Sequence, residues 1–190
     1  MKNKSVPTIT NMIRIDHSRV IAAFHQYDID SRPRVKQALV NTVCLALEIH
    51  AQLEEEIFYP ALRAVMQGNA MLDDSQPQHD AMRQSITALR DMTPTDADYD
   101  ERFMQLMQSV LHHVADEETT LLPAAERLLC DSLDELGAQM TKRRLQLAAP
   151  HALEIASHSV RGMPAKSMLL AAGAVIAGGY VLRRSLGREA

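Results

Sequence analysis

Residues 50–62 read HAQLEEEIFYPAL, and residues 113–125 read HVADEETTLLPAA. Laid on each other, His50 meets His113, Glu54 meets Glu117, Glu55 meets Glu118 and Pro60 meets Pro123. From the histidine to the proline is ten positions in both segments. Upstream, His17 precedes His50 by 33 positions and His79 precedes His113 by 34. Each half is therefore a segment with one histidine followed by a segment with His-x-x-x-Glu. A repeat of this length implies two helical hairpins related by a pseudo-two-fold axis, with one central site shared between them.

Working outward, apolar residues recur at three or four positions in four segments, and no segment alternates with period two. The first runs from Ile9 to Asp28 and the second from the end of SRPR to Met66. The third begins near DDSQPQH and stops before TPTDAD, and the fourth runs from Asp98 to Cys130. Ser31 with Pro33, Gly68 with Asn69, and Thr93-Pro94-Thr95-Asp96 mark short connections, which favour antiparallel neighbours. The spacing predicts an all-α, up-down-up-down four-helix bundle over residues 8–131, with an additional helix at 132–149. Residues 150–166 read as a linker, and residues 167–184 as a hydrophobic helix.

The balance of residues narrows the function classes. A chain of 190 residues suits one packed domain. Its net charge of −4 offers no basic field for nucleic acid, so no nucleic-acid partner is expected. The two cysteines, Cys44 and Cys130, form no zinc pattern and read as free thiols of a reducing cytoplasm. The N-terminus lacks the apolar stretch of a secretory signal. In contrast, SMLLAAGAVIAGGYVL at 167–182 is uncharged and is closed by Arg183 and Arg184. As a helix it would span about 24 Å at about 1.5 Å per residue, short of a hydrocarbon core of roughly 30 Å. Flanking Lys and Arg can snorkel, so the expectation is a tail that tethers a cytoplasmic bundle to the inner membrane. Docking of that helix on the bundle or in a homodimer is the other reading.

His and Glu at i and i+4 stand one above the other on one helical face. Two such pairs, with one histidine from each remaining helix, bring His17, His50, His79 and His113 together with Glu54 and Glu117 in the core. Ionised carboxylates buried without partners would cost several kcal/mol each or change protonation. Metal ions resolve this, since carboxylates can bridge two of them while each imidazole binds one. Six nitrogen and oxygen donors in a non-tetrahedral set favour iron, with manganese second, over structural zinc. Glu55 and Glu118 recur in both halves. They read either as acceptors of a ring N–H from these histidines or as a solvated pair. Tyr59 can donate a hydrogen bond near the site or pack below it. His112 with Asp116 reads as a solvent-side pair, and His25 as a bundle-end residue.

The motifs HxxxEEEIFYPAL and HHVxxEE resemble the haemerythrin-like (HHE) cation-binding domains, in their bacterial branch. The resemblance covers Ile13 to Leu129 and extends loosely to Leu147. It implies a left-handed four-helix bundle with two iron ions joined by an oxo or hydroxo bridge. His17, His50, His79 and His113 would be the terminal ligands, and Glu54 and Glu117 the bridging carboxylates. The oxygen carriers of the family have a second histidine four residues after the third-helix ligand, where this chain has Arg83. They also have an aspartate five residues past the last histidine, whereas Glu117 follows His113 by four. Reversible oxygen carriage is thereby disfavoured. The expected function is a di-iron protein that reacts with or senses O2, H2O2 or NO in oxidative stress or iron handling. If an enzyme, it would be a catalase-like peroxide-decomposing protein or another oxidoreductase. The contrasting reading is a metal-free bundle acting as a membrane-tethered interaction protein.

Overall fold

The computed structural model describes residues 7–152. The hydrophobic segment at 167–184, and with it the membrane expectation, lies outside the described residues. Among those described, no helix is long and apolar enough to cross a membrane.

Helix α1 (Ile9–Phe24) begins where the Thr8 hydroxyl accepts the Asn11 amide at 3.3 Å. Helix α2 (Pro33–Leu53) opens on a proline, whose fixed φ and missing amide suit a first turn. A π-helical turn, Glu54–Phe58, joins it to α3 (Tyr59–Val65). Gly68, at φ 69°, turns the chain into α4 (Ala70–Arg90), which the Asn69 side chain caps by accepting the Leu72 amide at 3.0 Å. Helix α5 (Tyr99–Asp116) runs through a second π-turn, Glu117–Leu121, into α6 (Leu122–Leu128). Helix α7 (Leu133–Ala148) follows, ending in a single 3₁₀ turn.

The continuous rods α2–α3 and α5–α6 pack with α1 and α4 as a four-membered ring, and α7 lies across α1 and α2. The four-helix bundle and the additional helix are thus present. Two boundaries differ from the sequence reading: α1 ends at Phe24 rather than Asp28, and α4 starts at Ala70, ahead of Asp73, because the Asn69 cap satisfies its first turn. Pro77 then falls inside the helix.

Both π-turns have a common cause. Pro60 and Pro123 offer no amide, and their rings clash with the carbonyl four residues back in a straight α-helix. A wider turn relieves that clash, and the closing bonds run from Tyr59 N–H to Glu54 O and from Leu122 N–H to Glu117 O. Widening also turns Glu54, Phe58 and Tyr59 inward together, as it does Glu117, Leu121 and Leu122; all six are fully buried.

The core is two apolar clusters with a polar layer between them. One is built around Val43, Leu47, Ile86, Phe103 and Leu106, the other around Ile13, Phe58, Leu62, Leu121 and Leu122. Along each helix the site residues fall at the change from one cluster to the other. His17 lies between Ile13 and Val20, and His113 with Glu117 between Val110 and Leu121.

Candidate metal centre

All six donors named from the sequence converge in that layer. His17, His50, His79 and His113 are buried, and Glu54 and Glu117 are fully inaccessible. Each imidazole presents Nε2 to the centre. His17 Nε2 stands 3.1 Å from Glu117 Oε2, and His50 Nε2 3.3 Å from Glu54 Oε1. His79 Nε2 is 3.5 Å from Glu54 Oε2, and His113 Nε2 is 3.7 Å from Glu117 Oε2. Glu54 thus points one oxygen at each half. One donor atom each from His17, His50, Glu54 and Glu117 lies within 4.8 Å of the others, as do donors of Glu54, His79 and His113.

Every Nδ1 faces outward to a brace, and the braces follow the repeat. Glu118 Oε1 accepts from His17 at 2.8 Å, and Glu55 Oε1 accepts from His79 at 2.8 Å. Asp16 Oδ2 lies 3.5 Å from His50 Nδ1, and Gln78 Oε1 accepts from His113 at 2.5 Å. A ring N–H given to an oxygen fixes the tautomer and leaves the Nε2 lone pair aimed at the centre. Outside these lie guanidinium groups. Arg83 donates to both oxygens of Glu55 at 2.7 Å, and Arg14 donates to Glu118 at 3.0 Å. Arg144 of α7 grips both oxygens of Asp16.

Sequence reasoning missed Asp16, Gln78 and Arg144. The first two immediately precede His17 and His79, so the repeat that located the histidines could also have located them. Arg144 carries no such signal, because it reaches the site from outside the repeat. Tyr59 is fully buried, and its hydroxyl donates to Glu117 Oε1 at 2.9 Å, lying 3.4 Å from His79 Nε2. It has no counterpart in the other half, where Leu122 stands. His112 is exposed, 3.8 Å from Asp116, and His25 is exposed at the bundle end.

The electrostatics ask for cations. Burial pushes the Glu54 carboxyl well above its usual range, and the charges of Glu117 and Asp16 push it further. Glu117 is equally buried, but the His17 hydrogen bond and the neighbouring imidazoles outweigh that and hold it at about 2. Burial, then the charge of His113, lowers His79 to about 3, and burial lowers His113 as well. With both Nδ1–H groups donated, two bare Nε2 lone pairs face each other at 3.1 Å. His50 Nε2 and Glu54 Oε1 are buried without any hydrogen-bond partner. Such groups cost about 1–3 kcal/mol each when unsatisfied, and a divalent cation satisfies them all.

Above the histidines lies a cavity of about 420 Å³. Val20, Leu47, Met82, Val110 and Val114 form its walls, and the four imidazoles its floor. It reaches exposed residues of α4 and α5, namely Ser85, Gln108, Ser109 and His112.

A helical bundle with a buried layer of histidines and glutamates suited to cations is the class that this fold and site define. The chain belongs to the hemerythrin HHE cation-binding domain family, whose sequence model matches residues 8–125. It is 26% identical over 136 residues to a protein of Nostoc sp. named DNA nickase, covering 72% of this chain but only 38% of that protein's length. It is 31% identical over 115 residues to the uncharacterized protein Rv2633c of Mycobacterium tuberculosis, covering 59% of this chain and 69% of the relative. The same architecture occurs in the crystal structure of a hemerythrin HHE domain-containing protein from Mycobacterium kansasii, an Rv2633c homolog. The match has a TM-score of 0.65 at 18% identity and covers 78% of this chain and 91% of that one.

Proposed function

We propose that the chain holds two iron ions between His17, His50, His79 and His113, with Glu54 and Glu117 shared between them. We further propose that it consumes a small uncharged oxidant, hydrogen peroxide ahead of dioxygen or nitric oxide. The observation that carries this reading is the convergence of six buried nitrogen and oxygen donors, two of which have unpartnered atoms. Bound iron would supply Lewis acidity and a store of electrons.

The protein's own part is orientation and exclusion. Carboxylates and an amide on the four Nδ1 atoms hold the imidazoles, while Tyr59 holds one oxygen of Glu117. The apolar clusters keep bulk water from the layer, and the valine, leucine and methionine walls of the cavity admit small uncharged molecules more readily than anions. Arg83, which stands where the oxygen carriers have a further histidine, spends its guanidinium on Glu55. The His79 side, short of that further histidine, suits turnover of peroxide better than reversible carriage of oxygen.

The test is purification from iron-replete cells, followed by iron content, the visible spectrum with and without peroxide, and oxygen release from peroxide. About two irons per chain, an oxidant-dependent spectrum and repeated turnover are expected, with all three lost in Glu117→Ala. Iron-free wild-type protein would instead favour the interaction bundle, and a stable, reversible oxygen adduct of the reduced protein would refute the peroxide assignment.

A further inference from the structure

The two halves of the repeat do not offer a cation the same surroundings. We infer that the position framed by His17, His50, Glu54 and Glu117 binds its cation first and tighter. The position framed by Glu54, His79 and His113 fills second and is where a small ligand from the cavity has room. This order rests on the metal-centre reading above and adds the roles of the individual side chains.

Three observations agree. The first is how tightly the donors close: His17, His50, Glu54 and Glu117 all converge around one position, whereas only Glu54 closes with His79 and His113 around the other, the shared Glu117 standing 3.1 Å from His17 but 3.7 Å from His113. More anionic donors around a divalent ion mean tighter binding at equal geometry. The second is that two of the three buried side-chain atoms without a hydrogen-bond partner among the described residues, His50 Nε2 and Glu54 Oε1, belong to the four-donor position, the third being Nε of Arg144. A cation there would relieve their cost. The third is the bracing. His17 and His50 both lean on carboxylates, Glu118 and Asp16, whereas in the other pair His79 leans on Glu55 but His113 on the neutral amide of Gln78. A carboxylate behind the ring raises its basicity as a ligand more than an amide does.

Tyr59 adds to the imbalance. Its hydroxyl lies on the His79 side and engages Glu117 Oε1, so only Oε2 of that carboxylate points at the imidazoles. The cavity also opens between α4 and α5, the helices that carry His79 and His113. The less crowded position therefore faces the way in.

The experiment is an anaerobic titration of the metal-free full chain with Co²⁺, followed by visible absorption and calorimetry. A parallel crystal is grown with one equivalent of Co²⁺, and anomalous scattering locates the ion. Two steps separated by about tenfold or more in affinity are expected, the His17–His50 one tighter. The anomalous peak should lie between His17 and His50. In His113→Gln the tight step should survive alone, and Tyr59→Phe should tighten the second step by freeing Glu117 Oε1. Two indistinguishable steps, or a first ion beside His79 and His113, would overturn the order yet leave the metal-centre reading intact. So would a weakened second step in Tyr59→Phe, since the phenol would then be a fourth donor there. No Co²⁺ uptake by the wild-type chain would instead sink the metal-centre reading itself.

Discussion

Gly137, in the second turn of α7, is the position where one methyl group should matter most to the architecture around the site. A Cβ placed there would sit 2.2 Å from the Pro7 carbonyl oxygen, 3.0 Å from the Ile9 amide nitrogen and 3.1 Å from the Thr8 carbonyl carbon. All three are backbone atoms at the start of α1, so no side chain can swing aside. Restoring contact near 3.4 Å needs a shift of about 1.2 Å between α1 and α7, by difference from the 2.2 Å contact. Two effects oppose each other in Gly137→Ala. Alanine gains about 1 kcal/mol of helix propensity, whereas forcing apart a packed contact costs ~1–3 kcal/mol, at the upper end when backbone must move. The net is a loss of about 2 kcal/mol, or ~4–8 °C in Tm for a chain of this size. Urea unfolding and calorimetry of the metal-free chain measure it, with the exposed Gln139→Ala as a control near zero. Metal uptake should weaken alongside, because α7 also carries the Arg144 that steadies Asp16 against His50. An alanine variant as stable as wild type, or more so, would refute the close approach of α7 to the N-terminal turn of α1.

Two further outcomes follow from other parts of the bundle. Lys36 is 7% exposed and donates to both oxygens of Asp100 at 2.7 and 2.9 Å, while Asp100 is 37% exposed. Removing the acid should cost about 1–2 kcal/mol in Asp100→Asn, discounted from the ~3–5 of a fully buried pair, whereas Lys36→Met should be near neutral. Partial burial raises the Asp100 carboxyl, but its bonds from Lys36 and Tyr27 outweigh this and hold it below 3.8. Because the folded value is the lower one, this contribution is present above about pH 4 and lost as pH falls below it. Acid unfolding curves of wild type and Asp100→Asn should therefore converge at low pH, and parallel curves would count against the pairing. At the centre, Glu118→Gln should weaken metal affinity about 10–100-fold through His17, while Glu48→Gln, on the outer surface with Arg90, should leave it unchanged. Competition with a chelator measures both, and equal affinity in all three proteins would deny Glu118 its bracing role.

Much of this protein was legible along the chain, for a reason that can be named. Helical periodicity is local, so the four amphipathic segments, their breaks and the fifth helix could be read before any packing was known. The duplicated His-x-x-x-Glu placed Glu54 and Glu117 on the apolar stripes of their helices, which is why all six donors could be listed. Direction was harder. Glu55 and Glu118 were balanced between bracing a histidine and facing water, and only the neighbouring helices, which bring His79 and His17 within 2.8 Å, decide between them. The prolines at 60 and 123 were visible as repeat markers, but the widened turns they impose emerge only when the helix must continue past them in a packed bundle.

The sequence by itself determined the helices, their two-fold pairing and the six histidines and glutamates that meet in the central layer, since each is encoded in spacings of three, four or about 33 residues. The tertiary structure decided what stands behind each imidazole, that the Tyr59 hydroxyl reaches Glu117 and His79 of the other half, and that Arg144 reaches Asp16 across 128 positions of chain. Those contacts join residues distant in sequence, whose side chains meet only after the apolar clusters have closed the bundle around a layer no local pattern describes.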